Sequence, residues 1–580
     1  MKHFAKKVTA AILTAIGGFS LFACGTGTGT SDGNPPEQID SERTQLYVFN
    51  FDGGFGSEWL SAAKEKYEEL HKDDVYEEGK KGVQIYVTVK KSFPNDIISQ
   101  IPDNREEIYF TESAHYYTLK NAGVLGDITE AVTEKGTYDD PLSIEDRLTA
   151  EQKAYLGVEE TDGTHYYGIP HYAAYWGIIY NIELFDDGGY YFADEPDPED
   201  DSLAGLFINK RTNPKKSAGP DGEYGTSDDG LPATYDEFYK LCDYIARDGC
   251  IPLIWSGKNY TDYLNSIIQS LAADYDGKDQ TMLNYTSYGS AETLGKIENG
   301  SFVKDVQSTQ IDEENGWELS RQAGKYYALQ FMEKVIKTTD WHNDIAENLA
   351  FSPAYTHMNA QEDFLYANED GVTPGVAMLL DGCWWQSEAQ GTFNDMVDSM
   401  GDEYAKENRR FGFMPLPKAT EEKAEENRAN GADAKKFTLI DAQYSMCFMK
   451  SNIEEWKKPL ALDFIRFVNT QAQLVEYTQI TNTTKALTYS LTDEEKEVLT
   501  PFGLSLLEYQ GKSDIVYPYS NRAIYVNNQS QMRSAVLFSS RVNGKDYTYA
   551  TRAFHEDGVT AAEYFSGMEI VSKERWELFG

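Results

Sequence analysis

The sequence predicts an α/β protein with parallel or mixed sheets, and three observations support this prediction. Short apolar or alternating segments, typical of strands, are separated along the chain by segments of helical spacing. The 580 residues are enough for several domains or for two large lobes. No repeat of about 20 to 50 residues is visible, so a solenoid is not expected.

The first part of the chain shows the alternation of strands and helices. Residues 57–71 place Trp59, Leu60 and Tyr67 on one helical face, and Gly123 is a signal for the end of the next helix. The predicted strands are 46–50, 83–89 and 108–110, and the predicted helices are 57–71 and 114–122.

The second part continues the pattern after an interruption. Residues 186–232 are acidic and rich in Gly and Pro without an apolar period, which predicts an insertion outside the core. Residues 411–417 are predicted to be extended. The predicted strands are 251–255, 375–380 and 438–449, and the predicted helices are 235–246, 261–273, 320–338 and 456–471.

Composition excludes two classes of function. The chain has 52 Lys and Arg against 95 Asp and Glu, a net charge of −43, which excludes a protein that binds nucleic acid through clustered positive charge. A mean hydropathy of −0.55 excludes a polytopic membrane protein. The 40 Tyr and 9 Trp supply flat apolar faces with polar edges, which suit a partly polar ligand.

The N-terminus has the pattern of an export signal. Lys2, Lys6 and Lys7 precede an uncharged stretch, residues 8–22, that is too short to span a bilayer. Leu-Phe-Ala before Cys24 resembles a bacterial lipobox, so residues 1–23 are predicted to be a signal peptide and Cys24 to be lipidated. The alternative is an ordinary signal peptide with a Cys there by chance. Residues 24–44 are predicted to be a flexible tether that holds the protein at the extracellular face of the membrane by its lipid alone.

No motif for catalysis or for a zinc site is present. Cys242, Cys250, Cys383 and Cys447 lack metal-binding spacing and are expected to be free thiols. Nucleophile-elbow, metalloprotease and phosphate-loop motifs are absent. A pair of catalytic carboxyl groups stays open as an alternative, because nothing distinguishes one pair among so many acidic residues.

Several predicted strands end in polar residues next to an aromatic residue. Ligands of α/β proteins bind outside the carboxyl ends of strands, and a sugar ring needs both stacking faces and hydrogen-bonding groups. For any single Trp, core packing is an equally good interpretation. The strand ends in question are 52–55, 111–113, 255–257 and 381–385.

The order of the motifs resembles the extracellular solute-binding lipoproteins of bacterial carbohydrate ABC transporters, the family 1 type that includes maltose-binding proteins. The resemblance is based on the lipobox, Gly54-Phe-Gly-Ser-Glu-Trp59 and a series of later segments over most of residues 45–530. These segments are 122–129, 167–170, 177–185, 376–384, 411–417, 456–471 and 481–483.

The resemblance implies a periplasmic-binding-protein-like fold of type II, in which two hinged lobes close on an unaltered ligand. It implies lobe 1 at 45–170 and 412–481, and lobe 2 at 171–411 and 482–580, with an extended C-terminal region. The expected function is capture of an oligosaccharide by a monomer that delivers it to ABC permease subunits. A peptide- or polyamine-binding protein of the same fold and a surface glycosidase are the alternatives.

The resemblance also assigns ligand-binding roles, with carboxylates accepting hydrogen bonds from hydroxyls, Arg522 donating and aromatic rings stacking. Trp385 is expected to be a buried neighbour of Trp384, and Tyr517 and Asn521 are weaker candidates. The predicted ligand-binding residues are Asp52, Phe55, Thr111, Glu112, Ser113, Trp176, Trp255, Ser256, Asn259, Tyr260, Trp384, Tyr519 and Arg522.

One segment of the insertion has the composition of a calcium loop. Asp221, Glu223, Asp228 and Asp229 lie among tight Gly turns, and Ca²⁺ prefers six to eight oxygen ligands. The sequence resembles the acidic turns of calcium-binding loops but lacks the final Glu of an EF-hand. The alternative is a solvated acidic loop. No other cofactor is expected.

Overall fold

The chain folds as two α/β lobes, each built on its own mixed sheet. The structure is a computed structural model that describes residues 38–579 except 91–99, 113–114, 343–348, 368, 370–373, 432–433 and 442–443. The predicted signal peptide and Cys24 lie outside the described residues.

The sheet of the first lobe has five strands. Thr44–Phe51 pairs in parallel with a strand on each side, and Met446–Met449 adds an antiparallel strand from late in the chain. Most side chains of Thr44–Phe51 are buried, which explains its nearly continuous apolar sequence. The order across the sheet is Val83–Lys90, Thr44–Phe51, Ile108–Thr111, Met446–Met449 and Ile169–Pro170.

The sheet of the second lobe has four strands. Val376–Gly382 is central and buried along its whole length, parallel to Ile251–Ile254 and antiparallel to Trp176–Asn181. Phe411–Met414 forms the far edge. Because Phe411–Met414 belongs to this sheet, the predicted start of the returning first-lobe segment at residue 412 is wrong.

Three segments of the described chain cross between the lobes. The first lies between Ile169–Pro170 and Trp176–Asn181. The second lies between Phe437–Ile440, which pairs with Ser513–Val516, and Met446–Met449 in the first sheet. The third follows Gln471–Thr481.

Two predicted elements are each divided in the structure. The predicted strand 438–449 is two strands in different sheets, since the chain changes lobe between them. The predicted helix 456–471 is Lys458–Phe467 followed by Gln471–Thr481. Asn469 and Thr470 interrupt the helix, and their side chains bond to carbonyls of the preceding turn.

The remaining predicted elements are present within a few residues of their expected bounds, except that the helix predicted to end at residue 273 continues to Thr286. The α-helices span Glu58–Leu70, Tyr116–Asn121, Thr129–Thr133, Ile144–Arg147, Ala150–Leu156, Ile182–Gly188, Tyr235–Arg247, Tyr260–Thr286, Ala323–Lys337, His357–Tyr366, Trp385–Glu388, Gln390–Met400, Glu421–Ala429, Lys458–Phe467, Gln471–Thr481, Asp493–Lys496, Pro501–Gly511, Ala523–Asn527, Ser534–Leu537, Ala550–Glu556 and Ala561–Trp576. The small two-stranded sheets pair Gly157–Glu160 with Gly163–Tyr166, Gly289–Ala291 with Thr309–Ile311, Gly295–Glu298 with Ser301–Lys304, and Ser540–Val542 with Lys545–Tyr547.

The acidic insertion packs on the core more closely than its composition predicted. Tyr191, Phe192 and Phe207 are buried, and the ring of Phe207 stacks on Tyr244 of the second lobe at 4.1 Å. A few aromatic residues spaced irregularly therefore attach the segment to the core, and the prediction that it lies wholly outside the core is wrong.

The four described cysteines are free thiols, as predicted. Within the described ranges, no helix has both the length and the apolar character required to cross a bilayer.

Candidate functional site

The two lobes touch where Trp384 packs on the backbone of Gly54. Gly54 follows strand Thr44–Phe51 of the first sheet and has a φ of +65°. A Cβ at this position would lie 2.6 Å from Trp384 Cγ, so the contact requires glycine. Trp384 comes just after the central strand of the second sheet. The contact therefore joins the ends of two interior strands, one from each lobe.

An aromatic cluster surrounds this contact. Phe55 lies edge-on to Trp384 at 6.1 Å between ring centroids and packs on Tyr172 of the first crossing at 4.2 Å. Trp176 meets Trp384 edge-on at 4.7 Å, and Tyr263 meets Trp176 at 4.8 Å. Trp176 and Trp384 are each 8% exposed. In this arrangement the rings cover one another and leave little of Trp176 or Trp384 exposed to solvent.

A cavity of about 580 Å³ lies beside the cluster, between the lobes. Ser387 of the second lobe closes one edge by donating from Oγ to the carbonyl oxygen of Thr481 at 3.3 Å. First-lobe residues on its wall include Asp52, Gly54, Phe55, Glu58, Ile480 and Thr481, and second-lobe residues include Met358, Ser387, Glu388, Asn394 and Lys406.

Two carboxyl groups of the second lobe are joined by one amide. Gln361 Nε2 donates to Asp381 Oδ2 at 3.0 Å and to Glu388 Oε2 at 2.8 Å. His357 Nε2 lies 3.5 Å from Glu388 Oε1. Burial and the nearby Glu388 charge raise the pKa of Asp381 to about 7, against the opposing effects of Gln361 and His357.

Glu112 brings a third carboxyl group, from the first lobe. It follows strand Ile108–Thr111. Burial and the charge of Glu388 raise the pKa of Glu112 to about 7. Burial and the charges of Asp381, Glu388 and Glu112 also raise the pKa of Tyr263, so the Tyr263 hydroxyl lies in the field of all three carboxyl groups. The site thus combines aromatic rings with carboxyl groups contributed by both lobes.

Of the residues that the sequence predicted to bind ligand, the structure places Asp52 and Phe55 on the wall of this cavity, and Trp176 and Trp384 in the aromatic cluster beside it. It missed Tyr263, His357, Gln361 and Glu388. Glu388 follows Trp384 by one helical turn, and this spacing was a signal available in the sequence. The His357–Tyr366 helix gave no comparable signal.

Trp255 is placed in the core, which contradicts its predicted position at the cleft. It is fully buried, and its Nε1 donates to the carbonyl oxygen of Ala350 at 2.8 Å. The ring packs between His342 and Phe351. Here the interpretation of a strand-end Trp as a core residue is the correct one.

The neighbours of Trp255 form a separate group. Ser256 is buried, and its Oγ accepts a bond from the backbone N–H of Asn259 at 3.4 Å. Tyr260 packs on Phe351 and donates from its hydroxyl to Glu556 at 3.0 Å. The Tyr260–Glu556 bond holds the C-terminal region on the second lobe. The structure does not bring Ser256, Asn259 and Tyr260 together with the aromatic cluster.

The late candidates divide between two places. Tyr519 stacks on Tyr155 of the first lobe at 4.2 Å and on Tyr517 at 5.8 Å, which makes a second contact between the lobes. Arg522 instead lies over Tyr288 and pairs with Glu313 at 3.2 Å, on the second lobe away from its predicted place in the cleft. Asn521 is exposed.

The other predicted residues have definite placements. Thr111 is fully buried and donates to the carbonyl oxygen of Met446 at 3.0 Å, which contradicts a role in contacting ligand. Trp385 is buried in the core of the second lobe, as expected. Ser113 lies outside the described residues.

The predicted calcium loop does not gather its carboxylates around one point. The ammonium of Lys512 pairs with Asp221 and lies 3.7 Å from Glu223. Asp228 accepts bonds from the backbone N–H of Asp221 and from Thr226, and burial beside Asp221 raises the pKa of Asp228 to about 7. Lysine and hydrogen-bond donors thus occupy the positions that cation ligation requires, so the residues do not fit Ca²⁺ here.

A different trio is the one metal-ligand grouping found among the described residues. Glu160, Asp162 and His165 place ligand atoms within 4.8 Å of one another on an outer hairpin. His165 Nδ1 and Nε2 are already bonded to Asp127 and Asp162, at 2.9 and 3.0 Å. The hairpin is part of the first lobe and carries none of the predicted ligand-binding residues.

Comparison with known proteins bears on the fold. No family model matches the chain, and no curated protein matches it. Among solved structures, the chain is similar to a chitin oligosaccharide binding protein, with a TM-score of 0.51 and 14% identity. The match covers 93% of this chain and 100% of that chain. At this identity the likeness establishes a shared two-lobed α/β architecture.

Proposed function

We propose that the chain is the substrate-binding component of an ABC importer and captures an oligosaccharide between its two lobes. The observation that carries this proposal is the cavity of about 580 Å³ bounded by both lobes beside the aromatic cluster. The similar solved structure is named for binding a chitin oligosaccharide, which supports the same class of ligand.

The chemistry of the site matches the needs of a sugar. The CH faces of a pyranose ring stack on Trp and Tyr rings, and its hydroxyls donate to carboxylates. Phe55 and Asp52 approach the cavity from one lobe, and Glu388 approaches from the other. A ligand held by both sides stabilises the closed form by its contacts in that form alone, which drives closure.

The proposal includes attachment to the membrane through lipidated Cys24, with the lobes displayed at the extracellular face. A single protomer delivering cargo to permease subunits needs no second copy of the chain. Replacement Cys24→Ala is expected to release the protein into the medium, measured by fractionation and radiolabelled palmitate. Retention on the membrane without label would contradict the anchor.

Thermal-shift and calorimetric screening of the purified protein tests the function. We expect neutral oligosaccharides of the chitin, cellulose or starch type to raise the melting temperature. Trp384→Ala is expected to lower affinity about tenfold or more, because a stacking face is lost. Trp456→Ala is the matched control, since Trp456 is 43% exposed at the surface. Equal losses for both variants would contradict the proposed site.

A polyamine- or peptide-binding function is the second candidate, favoured by Glu112, Asp381 and Glu388 in the cleft. It predicts melting shifts with spermidine or lysine-rich peptides and none with neutral sugars. Chromatography of the sugars after incubation with the protein tests for a glycosidase, because shorter sugars would accumulate. We expect every bound sugar to be recovered intact.

A further inference from the structure

Lys406 is a buried lysine without a bonding partner. It is 8% exposed, and it is one of seven buried lysines among the described residues. The other six donate from Nζ to a carboxylate, an amide or a backbone carbonyl oxygen. Within the described part of the chain, no hydrogen bond or ion pair reaches Lys406. The six bonded lysines are Lys325, Lys418, Lys436, Lys450, Lys457 and Lys485.

The turn that carries Lys406 satisfies its other buried cation. This turn follows the short helix Asp402–Tyr404. Arg409, three residues after Lys406, is also buried, and its guanidinium pairs with Glu183 at 3.1 Å and with Glu369 at 3.2 Å. The lack of a partner is therefore particular to Lys406. Because a desolvated ammonium without a partner is costly, Lys406 requires a further explanation.

Lys406 meets open space at the cavity between the lobes. It lines this cavity of about 580 Å³. Its Nζ is not one of the fully enclosed polar atoms that lack a partner, so the ammonium keeps contact with the cavity. Asp52, Glu58 and Glu388 line the same cavity, but none of the three pairs with this ammonium. The cavity thus offers a ligand one strong donor beside carboxylate acceptors.

A neutral sugar uses such a wall more fully than a charged ligand. One sugar hydroxyl can accept from the ammonium while a neighbouring hydroxyl donates to a carboxylate. A protonated polyamine has only donors and positive charges, so Lys406 would repel it and would stay without a partner. An anionic sugar would be attracted by Lys406 but repelled by Asp52, Glu58 and Glu388 on the same wall.

We propose that Lys406 donates a hydrogen bond from Nζ to a hydroxyl oxygen of a neutral sugar and makes the cleft selective against cationic ligands. This inference rests on the proposed oligosaccharide-binding function and names the donor that the second lobe contributes. Asp52 and Phe55 approach the same cavity from the first lobe. The sugar supplies the partner that the protein does not, and a hydrogen bond from a charged donor is about twice as strong as a neutral one.

Four ligands test the inference by calorimetry near neutral pH. They are cellotriose, maltotriose, the trimer of N-acetylglucosamine and spermidine. We expect the tightest-binding sugar to bind at least about tenfold more tightly than spermidine. Lys406→Met removes the ammonium and keeps the length of the side chain. It is expected to weaken binding of that sugar at least about tenfold, the effect of one hydrogen bond from a charged donor, without weakening spermidine.

Controls separate binding from folding. Lys304→Met is the matched control, because Lys304 is exposed on the outer strand Ser301–Lys304, and it should change neither affinity. Without ligand, Lys406→Met should melt at the native temperature or above, since it removes a buried unpaired charge. A lysine with only a structural role would give a lower melting temperature. Lys406→Gln keeps an N–H donor without the charge, and it is expected to weaken sugar binding at least about threefold if Lys406→Met does not fold.

The outcomes separate this inference from the proposed function. Sugar binding that survives in Lys406→Met within about twofold overturns the role of Lys406 and leaves the oligosaccharide function standing. Equal losses of sugar and spermidine binding in Lys406→Met, with a lower melting temperature, also overturn it. Tighter binding of spermidine than of every sugar by the native protein overturns the selectivity. Binding of none of the four ligands overturns both proposals.

Discussion

Replacement Glu112→Gln should change the pH dependence of stability in a calculable way. The pKa of Glu112 is about 7 in the folded protein against an ordinary value of 4.5. Between these values the folded state binds more protons at Glu112 than the unfolded state, so stability falls as pH rises through this window. At about 1.4 kcal/mol per pH unit the loss is at most about 3 kcal/mol. Solvent screening at a partly exposed carboxyl reduces it to about 1–2 kcal/mol.

The assay is the free energy of unfolding in urea, measured for both proteins without ligand at pH 5 and pH 8. We expect the two proteins to have similar stability at pH 5, where Glu112 is protonated. At pH 8, Glu112→Gln should be more stable by about 1–2 kcal/mol. Glu425→Gln, which removes an exposed carboxylate from helix Glu421–Ala429, corrects for loss of a surface charge. The same difference at both pH values, or a less stable Glu112→Gln at pH 8, would refute the reasoning.

Four further predictions concern other parts of the molecule. Gly54→Ala forces the lobes apart and should lower ligand affinity about tenfold. Gly123→Ala is the control, because Gly123 has a similar positive φ of +71° but open space around it, and it should not lower affinity. Equal effects of the two replacements would contradict the importance of the contact between Gly54 and Trp384. Trp255→Phe should lower stability by about 1–2 kcal/mol, because the hydrogen bond of the indole is lost, and should leave ligand affinity within twofold. A tenfold loss of ligand affinity would indicate that Trp255 binds ligand in the cleft. Lys512→Met should destabilise the insertion by about 3 kcal/mol because the buried Asp221 loses its cation. EDTA should leave the melting temperature unchanged, and a fall would show a bound metal ion that the present geometry does not accommodate.

The tendency of ligands to bind outside the carboxyl ends of strands accounts for the part of the site that the sequence predicted. Asp52, Phe55 and Trp384 follow interior strands of the two sheets, and ligands of α/β proteins bind outside the carboxyl ends of strands. The same rule failed for Trp255, because the segment Leu349–Phe351 covers it from about 95 residues away in the chain. Local sequence contains no information about such a cover.

Helical contributions to the site were harder to predict. Tyr263, Gln361 and Glu388 reach the cleft from helices, where the direction of a side chain depends on how the whole helix packs. The division of the predicted strand 438–449 has a similar origin. An apolar run looks the same whether it stays in one sheet or passes from one lobe to the other.

A co-crystal structure with the tightest-binding oligosaccharide tests the central claim most directly. The account predicts glycan density between Gly54–Phe55 of the first lobe and Trp384–Glu388 of the second, with sugar rings against the aromatic cluster. Density for the glycan elsewhere, with the cavity between the lobes containing only solvent, would contradict it.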